Sequence, residues 1–236
     1  MLITLVVANQ KGGVGKTTTA LNLAASLSAA SRKVLLIDLD AQANSTTGTG
    51  EEKKQKKISL IDVLVDNDSS LEKVIEETRY KFDLIPASTD LISAEIELSP
   101  LPSPTAILKE KLKDLGEDYD YTVIDCPPSL GMLSVSALRA ASKVLIPLQC
   151  EYYSLEGLAS MNKTINEIND ATGEKIEING ILRTMYDSRI RLSREVSQEL
   201  EEHFSEQLCD TVIPRNVKLA EAPSFGMPAL YYEPEA

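Results

Sequence analysis

The chain has 236 residues, 43% of them hydrophobic, which is enough to build the core of one α/β sheet covered by helices and makes a single domain the expectation. A formal charge of -12 argues against a surface that coats nucleic acid or anionic membrane as a whole, so any such binding must be local. Three widely spaced cysteines, one histidine (His203) and no tryptophan exclude a disulfide framework, a C-x-x-C or multi-histidine metal site, histidine-activated nucleophiles and an aromatic stacking platform.

The N-terminal "MLITLVVANQ" lacks the basic start and cleavage site of a signal peptide and reads as a strand over Leu2–Ala8. It runs into "ANQKGGVGKTTT" (Ala8–Thr19), which nearly spells the phosphate-binding pattern G-x-x-x-x-G-K-[ST]. Gly15, Lys16 and Thr17 fit, but Gln10 stands where the first glycine should be and a second lysine, Lys11, sits inside the loop. A helix follows from near Lys16, with Ala20, Leu23, Ala24 and Leu27 on one face. In that order of strand, loop and helix, Gly12, Gly13 and Gly15 bring backbone N–H groups close to anionic oxygens, and Val14 and Thr18 complete the contact segment. Lys16 then meets the β and γ phosphates of a nucleotide, and the Thr17 hydroxyl is a Mg²⁺ ligand.

The second apolar run, Val34–Leu39, ends in "LLIDLDAQANSTT". Asp38 and Asp40 alternate with Leu39, so both carboxylates point to one side at the carboxyl end of a strand, where parallel sheets bind ligands. A charged loop, "GTGEEKKQKK", precedes a helix-like Ile58–Val65, and Phe82–Pro86 reads as a strand. The prolines of "LSPLPSPTA" (Leu98–Ala106) mark a turn and a new helix start. Tyr121–Cys126, within "YTVIDCPPSLG", brings Asp125 to a strand tip, where it holds the water shell of Mg²⁺. Strands at Val144–Leu148 and Ile178–Leu182 follow, then a helix with Leu192, Val196, Leu200 and Phe204 on its apolar face. Nearly continuous apolarity in the short runs indicates strands buried on both faces, so the expected fold is a doubly wound, mainly parallel β-sheet with helices on both faces. The three cysteines are expected to be buried thiols in a reducing cytoplasm. No apolar run approaches the ~18 residues of a membrane span.

"KGGVGKTT" resembles the deviant Walker A signature of the ParA/MinD class of P-loop ATPases, in which a lysine near the loop start replaces the usual glycine pattern. "LIDLDAQ" resembles the D-x-D-x-Q switch of ParA proteins, and "IPRNVKLAEAPSFG" the "IPRN-x-x-x-x-EAPS-x-G" block of the chromosomal ParA (Soj) branch; "LIPASTDLISAEIEL" and "RTMYDSRIRLSREV" extend the likeness over nearly the whole chain. The resemblance implies one ParA-type ATPase domain over residues 1–236, lacking the last C-terminal helix usual in Soj proteins. It implies ATP and Mg²⁺ as cofactors, and an ATP-bound homodimer in which Lys11 of one subunit reaches the nucleotide of the other. Asp40 orients the attacking water, Asp38 lies nearer the metal, and Pro214, Arg215 and Asn216 lie along the adenine. A ParB-like centromere-binding partner, nonspecific DNA and a nucleoid-associated cytoplasmic location belong to the same expectation.

The charges alone do not single out a DNA surface. Residues 183–218 carry six basic and seven acidic side chains, and ion pairs such as Arg191 with Glu195 account for a helix surface equally well. However, Arg189, Arg191 and Arg194 cluster ahead of the acids Glu199, Glu201, Glu202 and Glu206, leaving one end cationic. The resemblance implies that arginines of the "MYDSR" region and of "IPRN" contact DNA phosphates without reading sequence, which selects Arg189, Arg215 and Arg191. Lys53–Lys57 is a further basic run, flanked by Glu51 and Glu52. Two alternatives stand beside this reading. A MinD-like membrane-cycling ATPase needs a C-terminal amphipathic helix, which "ALYYEPEA" does not supply. A metabolic enzyme on the same scaffold is not excluded by fold, although the scattered cysteines do not suit an iron-sulfur reductase.

Overall fold

The computed structural model describes residues 2–51, 58–116 and 118–235; the basic run Lys53–Lys57 lies outside them. Among the described residues the strands are β1 (Ile3–Val7), β2 (Val34–Asp38), β3 (Glu76–Glu77), β4 (Asp83–Ile85), β5 (Tyr121–Asp125), β6 (Lys143–Gln149), β7 (Ile178–Tyr186) and β8 (Leu208–Pro214). The helices are α1 (Lys16–Ala29), α2 (Asn44–Gly48), α3 (Leu60–Val65), α4 (Ala94–Leu98), α5 (Ile107–Asp114), α6 (Met132–Ala140), α7 (Ser154–Thr172), α8 (Arg191–His203), α9 (Val217–Glu221) and α10 (Ala229–Tyr232). One sheet runs in the order β3-β4-β2-β5-β1-β6-β7-β8. Its pairings are parallel except that of the two-residue β3 with β4.

The alternation of side chains along each strand explains the two cores. Val6, Leu35, Ile37 and Ile124 face one layer, shared with α3, α5, α6, α7 and α8. Val7, Val34, Leu36 and Val123 face the other, against Ala20, Leu21, Ala24 and Ala25 of α1. No face is left for water, so the central strands read as unbroken apolar runs. Leu35, Leu36 and Ile37 retain no exposed surface, and burying each contributes about 1.5–3 kcal/mol.

The sheet has two more strands than the sequence pattern indicated. β3 consists of two glutamates, and β8 is a half-exposed edge strand, so neither carries the apolar signature of a buried strand. The edge position of β8 also corrects the expectation for the thiols: Cys126 and Cys150 are buried, but Cys209 is partly exposed because its strand has a neighbour on one side only. Among the described residues, no helix is long and apolar enough to cross a membrane.

The C-terminal segment is tied back to the sheet. Arg79 Nη2 and the Tyr80 hydroxyl both donate to the Gly226 carbonyl, at 2.7 and 2.6 Å. Gly226 has φ +61°, and a Cβ there would meet the Cα of Gly50 at 2.5 Å, so the loop after α2 and the loop before α10 touch through two bare backbones. α10 is fixed to α1 by the Ala229 N–H, which donates to Asn22 Oδ1 at 2.7 Å.

Candidate functional site

β2, β5 and β1 lie side by side with their C-terminal ends on one side; the chain runs from β1 to β2 in one direction and from β5 across β1 to β6 in the other, so the crevice above β1 is a switch point of the sheet. The phosphate-loop pattern fills it. Gly13 (φ +74°) and Gly15 (φ +90°) take left-handed conformations that glycine adopts without strain. Gly15 starts α1 with no side-chain cap and no acidic residue in the first turn, which leaves the N–H groups at that helix end open to an anion. Lys16 is 7% exposed, and its Nζ donates to the Lys11 carbonyl at 2.9 Å. Burial pulls its pKa down, while the charge of Asp125, the Cys126 side chain and the charge of Asp40 act in the opposite sense.

Asp38 and Asp125 are register partners on β2 and β5, so the two carboxylates lie side by side, both fully buried. Asp38 is held by its own switch: Oδ2 accepts from the Thr46 backbone N–H and hydroxyl, each at 2.8 Å, and Oδ1 accepts from the Asp40 N–H at 3.1 Å. Asp125 Oδ2 accepts from the Ser45 hydroxyl at 2.7 Å, and the Thr17 hydroxyl also supports this carboxylate. Its Oδ1 is buried with no hydrogen-bond partner. Burial pushes Asp38 up to about 6; burial, followed by the charge of Asp38, pushes Asp125 up to about 7. Two adjacent buried carboxylates, one with an orphaned oxygen next to a threonine hydroxyl, fit a hard divalent cation. Among the described residues no cluster of three or more His, Cys, Asp or Glu forms a cage for a metal by itself. That combination suits Mg²⁺, which keeps waters and shares its coordination with phosphate oxygens.

Asp40 is partly exposed. Its Oδ1 accepts from the Gln42 N–H at 3.0 Å and its carbonyl from the Ala43 N–H at 2.7 Å, a turn that carries the chain into α2. A cavity of about 430 Å³ beside it is lined by Asp40, Ile92, Pro127, Ser129 and Met132. Lys11, the additional lysine of the loop, makes a 2.5 Å ion pair with Glu151 just past β6.

Several residues here escaped the sequence pattern. Ser45 and Thr46 follow the D-x-D motif directly, yet only the fold shows that one serves Asp125 and the other Asp38. The Thr46 hydroxyl also accepts from the Ala87 N–H at 3.0 Å, which ties the exit of β4 to the same carboxylate. Gln149 and Thr184 reach the phosphate loop from β6 and β7.

Pro214 ends β8, Arg215 is exposed, and Asn216 caps α9 by accepting from the Lys218 N–H at 2.8 Å. Arg189 is 88% exposed and bidentate on Asp187, at 2.9 and 2.7 Å. That pairing, aided more weakly by the charge of Arg215, pulls the Asp187 carboxyl down to about 2. Two of the three arginines selected from sequence therefore act on one carboxylate. The third, Arg191, pairs within its helix with Glu195 at 2.7 Å. The adjacent Arg194 donates to the Ser188 carbonyl at 2.7 Å.

Comparison with known proteins identifies relatives along nearly the whole chain. The family model described as AAA domain matches residues 3–178. The chain is 44% identical over 232 residues to the sporulation initiation inhibitor protein Soj of Bacillus subtilis (strain 168), covering 98% of this chain and 92% of that protein. It is 43% identical over 230 residues to the chromosome partitioning protein ParA of Myxococcus xanthus (strain DK1622), covering 97% and 81%. Among solved structures, it resembles cobyrinic acid a,c-diamide synthase from Mycobacterium smegmatis with bound ATP analogue and magnesium, with a TM-score of 0.85, 35% identity, and 96% and 93% of the two chains covered.

Proposed function

The chain belongs to the Soj/ParA family of chromosome-partitioning ATPases, and from that premise we propose that it is an ATP-driven partition switch. It is an ATPase, with ATP and Mg²⁺ as its cofactors. In this reading ATP closes a homodimer in the cytoplasm, the dimer binds nucleoid DNA without regard to sequence, and hydrolysis stimulated by a ParB-like centromere-binding partner releases it.

The geometry supports one assignment of roles. Lys16 exchanges the Lys11 carbonyl for the β and γ phosphates, and N–H groups from Gly12 to Thr18 surround them. Thr17 and, through water, Asp125 and Asp38 would hold Mg²⁺, with Asp38 also keeping the switch beside it. When bound, Mg²⁺ neutralises charge on the phosphates and polarises the transferred group. Asp40 orients the attacking water, and Lys11 reaches the nucleotide of the second subunit. Pro214, Arg215 and Asn216 flank the adenine, and Arg189, Arg215 and Arg191 contact DNA phosphates.

One observation carries the dimer. Ile92, Leu130, Tyr152, Tyr153 and Ile190 are exposed, and they follow the C-terminal ends of β4, β5, β6 and β7, around the same end of the sheet as the phosphate loop and Lys11. An apolar rim enclosing an ionic centre suits coverage by a second copy, with the same patch contributed by both subunits. Light scattering and DNA co-sedimentation, each run with ATP, with ADP and without nucleotide, test the proposal. A doubled mass and DNA retention are expected with ATP alone; DNA binding and mass that ignore the nucleotide would overturn it.

A further inference from the structure

We infer that Gln149 and Thr184 are positioning residues of the phosphate loop, acting on its peptide planes from the side of the sheet; the inference rests on the loop's binding ATP. The two are register partners on β6 and β7. From these adjacent places they hold two consecutive carbonyls of the loop. Gln149 Nε2 donates to the Gly13 carbonyl and Thr184 Oγ1 to the Val14 carbonyl, both at 2.8 Å.

In a planar trans peptide the carbonyl and the following N–H point in opposite directions. Fixing the Gly13 and Val14 carbonyls toward β6 and β7 therefore turns the N–H groups of Val14 and Gly15 the other way, as a polyphosphate requires. Gly13 and Gly15 sit in left-handed conformations on either side of Val14, so this stretch is the part of the loop with the most alternative backbone states to suppress.

The backbone of β7 is shaped for the task. Between Arg183 and Tyr186, β7 advances three residues while β8 advances two, from Val212 to Pro214, which is a bulge. Within it Met185 takes φ +50°, uncommon for a residue with a side chain. Gln149 Nε2 also lies 3.1 Å from Met185 Sδ, so the bulge and the loop share one amide donor. A strained bulge beside a ligand site points to a positional requirement that ordinary strand geometry does not meet.

Thr184→Val removes the hydroxyl and keeps the shape; Thr184→Ser keeps the hydroxyl. Titration with a fluorescent ATP analogue at fixed Mg²⁺ should show weaker binding for T184V by up to about tenfold, the upper range for one lost hydrogen bond between neutral groups, and recovery with T184S. Melting of the nucleotide-free proteins gives the second readout. A lower melting temperature with unchanged nucleotide affinity would identify a purely structural staple and overturn the inference. If T184V does not fold, Gln149→Leu takes its place at a partly exposed position, with weaker binding supporting the inference and unchanged binding overturning it. Wild-type protein that binds no nucleotide would remove the premise itself, an outcome distinct from wild type and variants binding equally well.

Discussion

The ammonium of Lys11 lies 2.5 Å from the carboxylate of Glu151 in the same chain. The lysine proposed to reach another subunit's nucleotide is thus occupied within its own. Both side chains are about half exposed, 40% and 50%, and exposed pairs of this kind contribute about 0–1 kcal/mol. A phosphate-bearing dimer partner can displace such a contact without difficulty. Glu151→Gln is expected to shift the ATP-dependent monomer-dimer equilibrium toward dimer by up to about fivefold, read by analytical ultracentrifugation. Lys11→Ala should retain ATP binding and lose both dimerisation and DNA binding. Weaker dimerisation in E151Q would mean that Glu151 serves the partner and not its own lysine.

Asp40 differs from its neighbour Asp38 in being partly exposed and in facing the cavity beside the switch. Replacing Asp40 by Ala should leave Mg²⁺-ATP binding intact and slow hydrolysis on the order of 10²-fold or more, the range for a lost water-orienting carboxylate. The protein then accumulates as an ATP dimer. Light scattering that detects only monomer in the presence of ATP would rule out this role.

Arg189 already has an anionic partner in Asp187, and Arg215 acts on the same carboxylate. A DNA phosphate adds a second acceptor to a cluster of two cations and one anion, so Arg189→Glu reverses the local balance. Its expected effects are weaker binding for all sequences alike and a salt dependence shallower by about one phosphate contact per subunit. DNA binding measured from low to moderate salt checks both. A variant that loses affinity for one sequence only would contradict backbone recognition.

Asp38 and Asp125 give nucleotide-free protein a defined pH response. Their carboxyls titrate at about 6 and about 7 in the folded state, above ordinary carboxylates near 3.9. The folded state therefore binds protons more tightly than the unfolded one. This contribution to stability is fully present below about pH 4 and is lost as pH rises toward 7. Asp125→Asn cannot acquire the buried charge. It should raise the melting temperature of nucleotide-free protein by a few degrees at pH 8 and by little near pH 4, with the gain growing between about pH 4 and 7. Mg²⁺ with nucleotide should abolish this advantage, because the wild-type carboxylate then has its cation.

The parts of the site that were legible in the sequence are those built from neighbours in the chain. Gly12–Thr18 form a loop-to-helix turn, Asp38 and Asp40 flank one residue, and Asp125 closes an apolar strand; each motif states its own geometry through a period of two or a glycine spacing. The buried strands were legible for the same reason, since a strand covered on both faces must be apolar throughout.

What only the tertiary structure decided is which distant residues complete those motifs. Ser45 meets Asp125 across 80 residues of chain, Gln149 meets Gly13 across 136, and Thr184 meets Val14 across 170. A lone serine, glutamine or threonine at a strand or helix end has no spacing that marks it, and its partner follows from sheet order, here β1 beside β5 and β6. The pairing of Lys11 with Glu151 and the edge strand β8 belong to the same class. The sequence alone determined a glycine loop leading into a helix, two aspartates flanking one residue and an aspartate at a strand tip; the order of the strands determined which side chains hold them in place.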